Sequence, residues 1–232
     1  MQLDSRFTIH AGVNFVLAPF PGLDRMTCLK FQEALAEGGV TVSTTVQGER
    51  EFTASRQTPS PFEIKIGMVG PHIGQLLILA AQPISSLEML CEEAEDVAQA
   101  FGKTWFVPQR QILSCDTTIR DLYETSSEHA FIELWEKRLR QTPESLQVFG
   151  RGVLGGGLRF VMAPRDNDPM EPMVETKLES YLSDTRKLFL EAQFTWRQPL
   201  PPGTALDPSS RLIRVDNFIQ KEVVQFIQEG QP

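Results

Sequence analysis

The glycine-rich run at 150–157 is the segment whose residue types most suggest ligand chemistry. A phosphate cradle needs a strand before such a run and a helix N-terminus after it, so that backbone N–H groups and the helix dipole face the anion. The residues that follow, 158–162, are instead typical of a strand. The run therefore predicts a turn or bulge between two strands, where glycine supplies backbone freedom, in preference to a phosphate site.

The spacing of the cysteines and histidines indicates neither an activated nucleophile nor a set of metal ligands. The Ser-Cys-Asp sequence at 114–116 has neither a glycine elbow nor a neighbouring base, so Cys115 is predicted to be a small buried residue on a strand. The histidines at 10, 72 and 129 lie far apart, and none has a cysteine or carboxylate at ligand spacing. We therefore predict no catalytic residue, no metal ion and no cofactor.

Acidic residues cluster on a predicted helix at 86–101, whose apolar residues follow helical spacing. The acids then form the solvated face of an amphipathic helix. Docking of a basic partner or of a divalent cation is the alternative reading of this face. The acids are Glu88, Glu92, Glu93, Glu95 and Asp96.

Two stretches alternate apolar and polar residues, which predicts two β-hairpins. The first spans 62–80, where Phe62, Ile64 and Ile66 share one face before a Gly-Pro-His turn. The second spans 174–194 and contains a Ser-Asp-Thr-Arg turn. Both hairpins should carry one buried face, because the period of two places alternate side chains on opposite sides of a sheet.

The two hairpins align without a gap, turns included, at a spacing of 112 residues. A slip of one residue would invert every side chain, so the shared facing supports duplication of one unit, with a chance match as the alternative. The matched pairs are Glu63/Glu175, Lys65/Lys177, Leu76/Leu188 and Ala80/Ala192.

The elements around the hairpins follow the same order in both halves. In the first half we predict a strand at 7–17, a helix at 23–36, β-rich sequence at 40–55 and a helix at 86–101. In the second half we predict a strand within 105–118, a helix at 127–140, strands at 146–154 and 158–163, and a helix at 215–227. The chain is thus predicted to hold two repeats, 1–103 and 104–232, each reading strand, helix, four strands, helix.

Each repeat alone would leave an apolar sheet face bare. We therefore predict an α+β fold in which one curved antiparallel sheet carries helices on one face, as one compact body with a pseudo-twofold axis. This layout resembles the saddle of the TATA-binding protein, which also has two such repeats. The resemblance covers most of the chain in element order only, and it implies a fold but no activity.

Composition and charge limit the class of protein. The 232 residues contain 41% hydrophobic and 22% charged residues, as folded soluble proteins do, and carry a formal net charge of -8. The negative charge disfavours nucleic acid as a partner, as do Glu63, Glu175, Glu179 and Glu191 on the predicted exposed sheet face. Three separated cysteines, an N-terminus without a signal sequence and the absence of a long apolar run predict a cytoplasmic protein that does not enter membranes.

Leu77 and Leu79 make the first hairpin apolar on both sides, whereas the aligned positions of the second hairpin hold Phe189 and Glu191. An apolar sheet face must be covered by the chain's own loops, by a second subunit or by a ligand. We therefore predict a binding site at these four residues.

Three functions are compatible with these patterns. The first is an interaction protein without catalytic activity that docks a partner subunit, as in a homodimer, or a small ligand on the apolar sheet face. The second is an enzyme with a site in the groove between the repeats, using Arg151, Asp116, Glu175 or Lys177. The third is nucleic-acid binding by analogy with the saddle, which the charge disfavours.

Overall fold

The fold was obtained as a computed structural model, which describes residues 2–82, 86–127, 129–168, 170–197 and 199–228. Its strands are β1 (Gln2–Ala18), β2 (Thr44–Gln47), β3 (Glu51–Arg56), β4 (Phe62–Gly70), β5 (Ile73–Ala81), β6 (Gln111–Glu124), β7 (Gly157–Met162), β8 (Met173–Ser180) and β9 (Lys187–Trp196). Its α-helices are α1 (Arg25–Glu37), α2 (Leu87–Thr104), α3 (Ala130–Glu133), α4 (Pro208–Phe218) and α5 (Val224–Gln228). A π-helical turn extends α3 (Leu134–Arg138), another joins α4 to α5 (Ile219–Val223), and 3-10 helices lie at Pro143–Phe149 and Arg165–Asn167.

All nine strands belong to one antiparallel sheet with the order β2-β3-β4-β5-β1-β6-β9-β8-β7. The α+β class and the single large antiparallel sheet are therefore confirmed. The two longest strands, β1 and β6, pair at the centre through partners such as Ala11 with Ile119 and Phe15 with Cys115. The halves of the chain thus meet in continuous strand pairing.

The core lies between the sheet and the helices. Burial alternates along the strands, as in β5, where Leu76, Ile78 and Ala80 are buried and the intervening Leu77 and Leu79 are only half-buried. The helices contact this buried side. The ring centroids of Phe31 of α1 and Phe52 of β3 are 5.8 Å apart, and those of Phe218 of α4 and Phe194 of β9 are 5.4 Å apart. The opposite side of the sheet, which carries Asn14 of β1, Leu77 of β5 and Lys177 of β8, is called the open face.

The helices begin at capping residues that the sequence supplies. The side chain of Asp24 accepts a hydrogen bond from the backbone N–H of Thr27 at the start of α1, and Ser86 does the same for Met89 of α2. At α4, Asp207 accepts from the N–H of Ser210. Such caps satisfy N–H groups that the first turn of a helix leaves unpaired.

One predicted strand is wrong. The segment 146–154 does not pair with the sheet; its first part belongs to the 3-10 helix Pro143–Phe149, and 150–156 is irregular. Pro143 provides a helical start, and Gly150 ends the helix with a φ of 60°, which glycine adopts without strain. No helix follows the glycine run, because β7 begins at Gly157, so the geometry of a phosphate cradle is not formed.

The prediction that the hairpins align without a gap is also wrong. Glu63 of β4 lies opposite Leu79 of β5, whereas Glu175 of β8 lies opposite Gln193 of β9. If the hairpins aligned without a gap, Glu191, which is the match of Leu79, would lie opposite Glu175. The longer connection between β8 and β9 adds two residues, and an even number keeps every side chain on its original face.

The remaining predicted helices are present, with shifted ends. The helix predicted at 127–140 is shorter, at α3 and its π-helical turn, and Glu128 lies outside the described residues. The last helix begins seven residues earlier than predicted, at Pro208. Among the described residues, no helix has the length and apolar character required to cross a membrane.

Candidate binding face

The open face presents alternate residues of the strands to solvent. Near its centre are Asn14 of β1 and Asp116 of β6, which lie opposite each other across the central strand pair. On the β5 side of this centre lie apolar residues, and on the β9 side lies a row of charged residues. The face therefore has two regions of different chemistry, side by side.

Leu77 and Leu79 form the apolar region, as expected from the sequence. Both are half-buried on the open face of β5. Leu79 lies beside Gly12 of β1, where an added Cβ would stand 3.3 Å from the Leu79 Cδ1 atom. The absence of a side chain at Gly12 thus lets Leu79 lean over the neighbouring strand. Gln75 borders the region and donates a 2.7 Å hydrogen bond to the Oδ1 atom of Asn14.

The strand register changes which residues of the second hairpin correspond to this apolar region. Leu77 lies opposite Lys65, and Lys177 lies opposite Glu191. Because Lys65 and Lys177 are matched positions of the two hairpins, Glu191 is the structural counterpart of Leu77. Phe189 is half-buried two residues away along β9. The same face is thus apolar on β5 and charged on β9.

Five alternating charges, here called the charge ladder, cross four adjacent strands of the open face. Arg159 of β7 donates a 2.8 Å hydrogen bond to Glu175, and Lys177 Nζ lies 3.3 Å from the other carboxylate oxygen of Glu175. Lys177 also donates to Glu191 Oε1 at 2.6 Å, and Arg120 Nε of β6 donates to Glu191 Oε2 at 2.5 Å. Each carboxylate therefore lies between two cations.

These contacts hold the ladder in its charged form. Hydrogen bonding from Arg159 lowers the pKa of Glu175, and hydrogen bonding to Glu191 raises the pKa of Lys177. Burial acts to raise the pKa of Glu191, but hydrogen bonds from Lys177 and Arg120 outweigh it, so the pKa is lowered. Groups held so firmly in one charge state are poor proton donors or acceptors near neutral pH.

The cations of the ladder are more accessible than its carboxylates. The side chains of Arg159, Arg120 and Lys177 are 64%, 41% and 34% exposed, whereas those of Glu175 and Glu191 are 16% and 7% exposed. The expectation that Glu175 and Glu191 give this part of the face a negative surface is therefore wrong. A partner would meet positive groups above carboxylates that are already paired.

His10 stands at the β1 end of the ladder, opposite Arg120. Burial and, secondarily, the charge of Arg120 lower its pKa to about 4. The imidazole is therefore neutral near pH 7 and adds no positive charge to the ladder. It is an uncharged polar ring between Arg120 of the ladder and the β5 side of the face.

Of the four residues predicted to line a groove between the halves, Glu175 and Lys177 contact each other, and Arg151 and Asp116 lie elsewhere. Asp116 accepts a 2.7 Å hydrogen bond from Thr195, and Glu175 and Lys177 belong to the ladder. Arg151 is exposed in the loop before β7, and within the described part of the chain no hydrogen bond or ion pair joins it to the open face. At the junction itself β1 and β6 are hydrogen-bonded neighbours, so no groove separates them there.

Arg120 and Arg159 were missed by sequence reasoning, and His10 was considered only as a metal ligand or catalytic residue. All three lie at alternating positions on strands, but a lone charge on a strand indicates nothing until its neighbours are known. The cross-strand register brings Arg120 beside Glu191, 71 residues away in the chain. That pairing is a property of sheet order, which local patterns do not encode.

The acidic helix face is only partly a solvated surface. Glu93 of α2 binds Arg56 of β3 through two hydrogen bonds of 2.5 and 2.7 Å. This bidentate pair ties the helix to the sheet. In the described part of the chain, no group of three or more His, Cys, Asp or Glu side chains is placed to hold a metal ion. Cys115 is buried, as predicted, and burial raises the pKa of its thiol to about 12, which disfavours the reactive thiolate.

The chain was compared with known proteins. It matches no protein-family model and no curated protein. Function must therefore be inferred from the chemistry of the open face.

Proposed function

We propose that this chain is an interaction protein without catalytic activity that binds a protein partner on its open face. The observation that carries the proposal is the adjacency of the half-buried Leu77 and Leu79 to a ladder whose exposed groups are cations. The partner would present apolar side chains to the leucines and carboxylates to Arg120, Lys177 and Arg159. Such a pattern, an apolar centre beside charged groups that set orientation, is common in protein interfaces.

Two other functions are less well supported. An enzyme would need groups near the open face that change protonation near neutral pH, whereas the ladder is held charged and His10 is held neutral. Nucleic-acid binding would need a continuous basic stripe, but the ladder alternates in sign. Retention on heparin that weakens with salt would favour that function over ours.

We further propose that the sheet arose by duplication of one unit, with halves 1–103 and 104–232 and a layout like that of the TATA-binding protein. The strand order supports this, since β5, β4 and β3 follow β1 outwards just as β9, β8 and β7 follow β6. Equal sets of strands on both sides of the central pair are expected from a pseudo-twofold axis. The outermost strand, β2, has no counterpart among the described residues of the second half.

A cytoplasmic location accompanies the proposal. The three cysteines, Cys28, Cys91 and Cys115, are buried and unpaired. Burial raises the pKa of each thiol, so none is activated for disulfide exchange. Reduced thiols of this kind are typical of reducing compartments.

The proposal is tested by selecting binders from a random peptide display library on the immobilised chain. We expect enriched peptides that combine apolar residues with Asp or Glu, because both regions of the open face must be matched. The double variant Leu77→Asp, Leu79→Asp should lose these peptides, since it places two carboxylates in the apolar region. Higher salt should weaken the binding, because the ladder cations are exposed.

The matched control is Val148→Asp, Phe149→Asp, which makes the same change at two exposed residues of the 3-10 helix. The control should retain the selected peptides, and circular dichroism should show that both variants are folded. The proposal fails if the folded Leu77/Leu79 variant selects the same peptides as the wild-type chain, or if no peptide is enriched. A small molecule seen by native mass spectrometry would favour the ligand-binding alternative instead.

A further inference from the structure

Strand β7 forms one edge of the sheet, and its outer side is unpaired among the described residues. It pairs only with β8, so its outward backbone N–H and C=O groups have no strand beside them. Its apolar side chains are also exposed: Phe160 and Met162 on the helix side are 38% and 36% exposed, and Val161 on the open face is 58% exposed. An apolar edge of this kind is a template for pairing with another strand.

An apolar groove continues this edge beneath the sheet. It has a volume of about 430 Å³. Most of its lining is apolar and includes Phe160, Met162, Phe218, Val223 and Phe226, while Arg159, Thr176 and Glu222 also contribute to it. The Phe160 ring packs edge to face against Phe226, with ring centres 5.3 Å apart. Side chains from an added strand could therefore enter a preformed apolar site.

The other half of the chain shows how the same position is covered. Strand β3 lies as far from the central pair as β7 does, and it is paired on its outer side by β2. Phe52 and Ala54 of β3 are fully buried, in part by Phe31 of α1. In the first half, β2 therefore covers the outer edge of β3. The described residues of the second half contain no strand that covers the outer edge of β7.

We propose that the missing strand is supplied by a second copy of the chain, through antiparallel pairing of β7 with the β7 strand of the partner subunit. Pairing about a twofold axis at Phe160 would place Leu158 opposite the partner's Met162. Arg159 would lie opposite the partner's Val161, on the open face. Every facing pair on the helix side would then be apolar, and no like charges would be directly opposed.

The opposite edge of the sheet is a poorer partner for β7. Strand β2 has only four residues, and its helix-side residues are Thr45 and Gln47, which lie opposite Ala54 and Phe52 of β3. Pairing β2 with β7 would bring polar side chains to an apolar groove. Two β7 strands match each other better, and their twofold pairing is closed, so it does not continue into a fibre.

The expected assembly is a dimer that dissociates on dilution. A strand of six residues provides less contact than the roughly 800 Å² per subunit of a standard stable interface. Sedimentation velocity at loading concentrations from about 5 to 500 µM should therefore show a shift from monomer to dimer. Amide hydrogen exchange at 157–162 should slow as the dimer forms.

Two substitutions at one exposed position distinguish this pairing from other modes of association. Val161→Arg opposes the partner's Arg159 with a like charge, twice per dimer, and should raise the dissociation constant tenfold or more. Val161→Glu opposes it with an opposite charge but also lies opposite Glu175 of its own subunit, so it should weaken the dimer much less than Val161→Arg does. The control Val46→Arg introduces the same charge on the other edge strand, where Val46 is exposed, and should have no effect.

The proposal is wrong if the wild-type chain remains a monomer over this range, or if Val161→Arg and Val161→Glu weaken the dimer equally. It is also wrong if the dimer is abolished by Leu77→Asp, Leu79→Asp and is unaffected by Val161→Arg. That last result would show that the open face, and not the β7 edge, joins two copies. The first two results leave the peptide-binding test of the open face unaffected, because Leu77 and Leu79 lie on β5 and not on β7.

Discussion

Arg6 is expected to be the charged residue on which the stability of the fold depends most. Its Nε atom donates a 2.9 Å hydrogen bond to Asp121 of β6, and its Nη1 atom lies 2.6 Å from Asp216 of α4. Asp121 is fully buried on the helix side of the sheet, where Thr8 also donates a 2.7 Å hydrogen bond to it. Arg6 therefore joins the two central strands to a helix.

Replacement of Arg6 by Met would leave the Asp121 carboxylate buried without a cation. Removal of one partner of a buried ion pair costs about 3 to 5 kcal/mol. Because Thr8 still donates to Asp121 and Asp216 is partly exposed, we expect a loss near the lower end, about 3 kcal/mol at pH 7. The control Arg165→Met breaks an exposed pair with Glu222 and should cost about 0.5 kcal/mol or less.

The loss should also depend on pH. Burial raises the pKa of Asp121 in the wild-type chain, and removal of Arg6 should raise it further. The folded variant then takes up a proton more readily than the unfolded chain does. The difference in free energy of unfolding between the wild type and Arg6→Met should therefore become smaller as the pH falls from 7 towards the pKa of an unfolded Asp.

Urea denaturation at pH 7 and pH 5 measures the free energy of unfolding of these variants. The double variant Arg6→Met, Asp121→Asn should recover most of the loss, because the buried charge is gone. The reasoning is refuted if Arg6→Met costs less than about 1 kcal/mol at pH 7, well below the range for a buried pair. It is refuted equally if the loss does not depend on pH, or if the double variant is no more stable than the single one.

Two further predictions concern packing and protonation. Gly74→Ala would bring a Cβ atom to 2.8 Å from the Phe20 Cδ1 atom in the core and should lower the free energy of unfolding by about 2 kcal/mol. The added Cβ of Gly102→Ala in α2 meets nothing within 4 Å, so this variant should be more stable than the wild type by about 0.5 kcal/mol. Equal midpoints of thermal unfolding for the two variants would contradict this reasoning. His10 has a folded pKa of about 4 against 6.5 for an unfolded histidine, so its contribution is fully present above pH 6.5 and is lost as the pH falls towards 4. An NMR titration should give a pKa near 4, with a higher value in Arg120→Gln, and a wild-type value near 6.5 would show that the ring is solvated.

Local patterns were sufficient for much of the fold. Alternation of apolar and polar residues gave both hairpins and the buried face of each, since the period of two is a property of the strand itself. A strand was predicted at 146–154, where a 3-10 helix ends, because the apolar residues between Pro143 and Gly150 suit a strand as well as a short helix. The gapless alignment was wrong because the connection between β8 and β9 is two residues longer, which shifts the cross-strand register. A shift of two residues leaves every side chain on the same face, so the apolar pattern does not reveal it.

The sequence by itself determined that this chain is α+β, that its hairpins bury one face, and that Leu77 and Leu79 lie on the other. These features depend on residues close together in the chain. Only the tertiary structure decided that Arg120, Glu191, Lys177 and their neighbours form one ladder, that β1 and β6 join the halves, and that β7 is left at an edge. Those features depend on which strands become neighbours, and that choice is made by packing of the whole sheet against the helices, not by any local pattern.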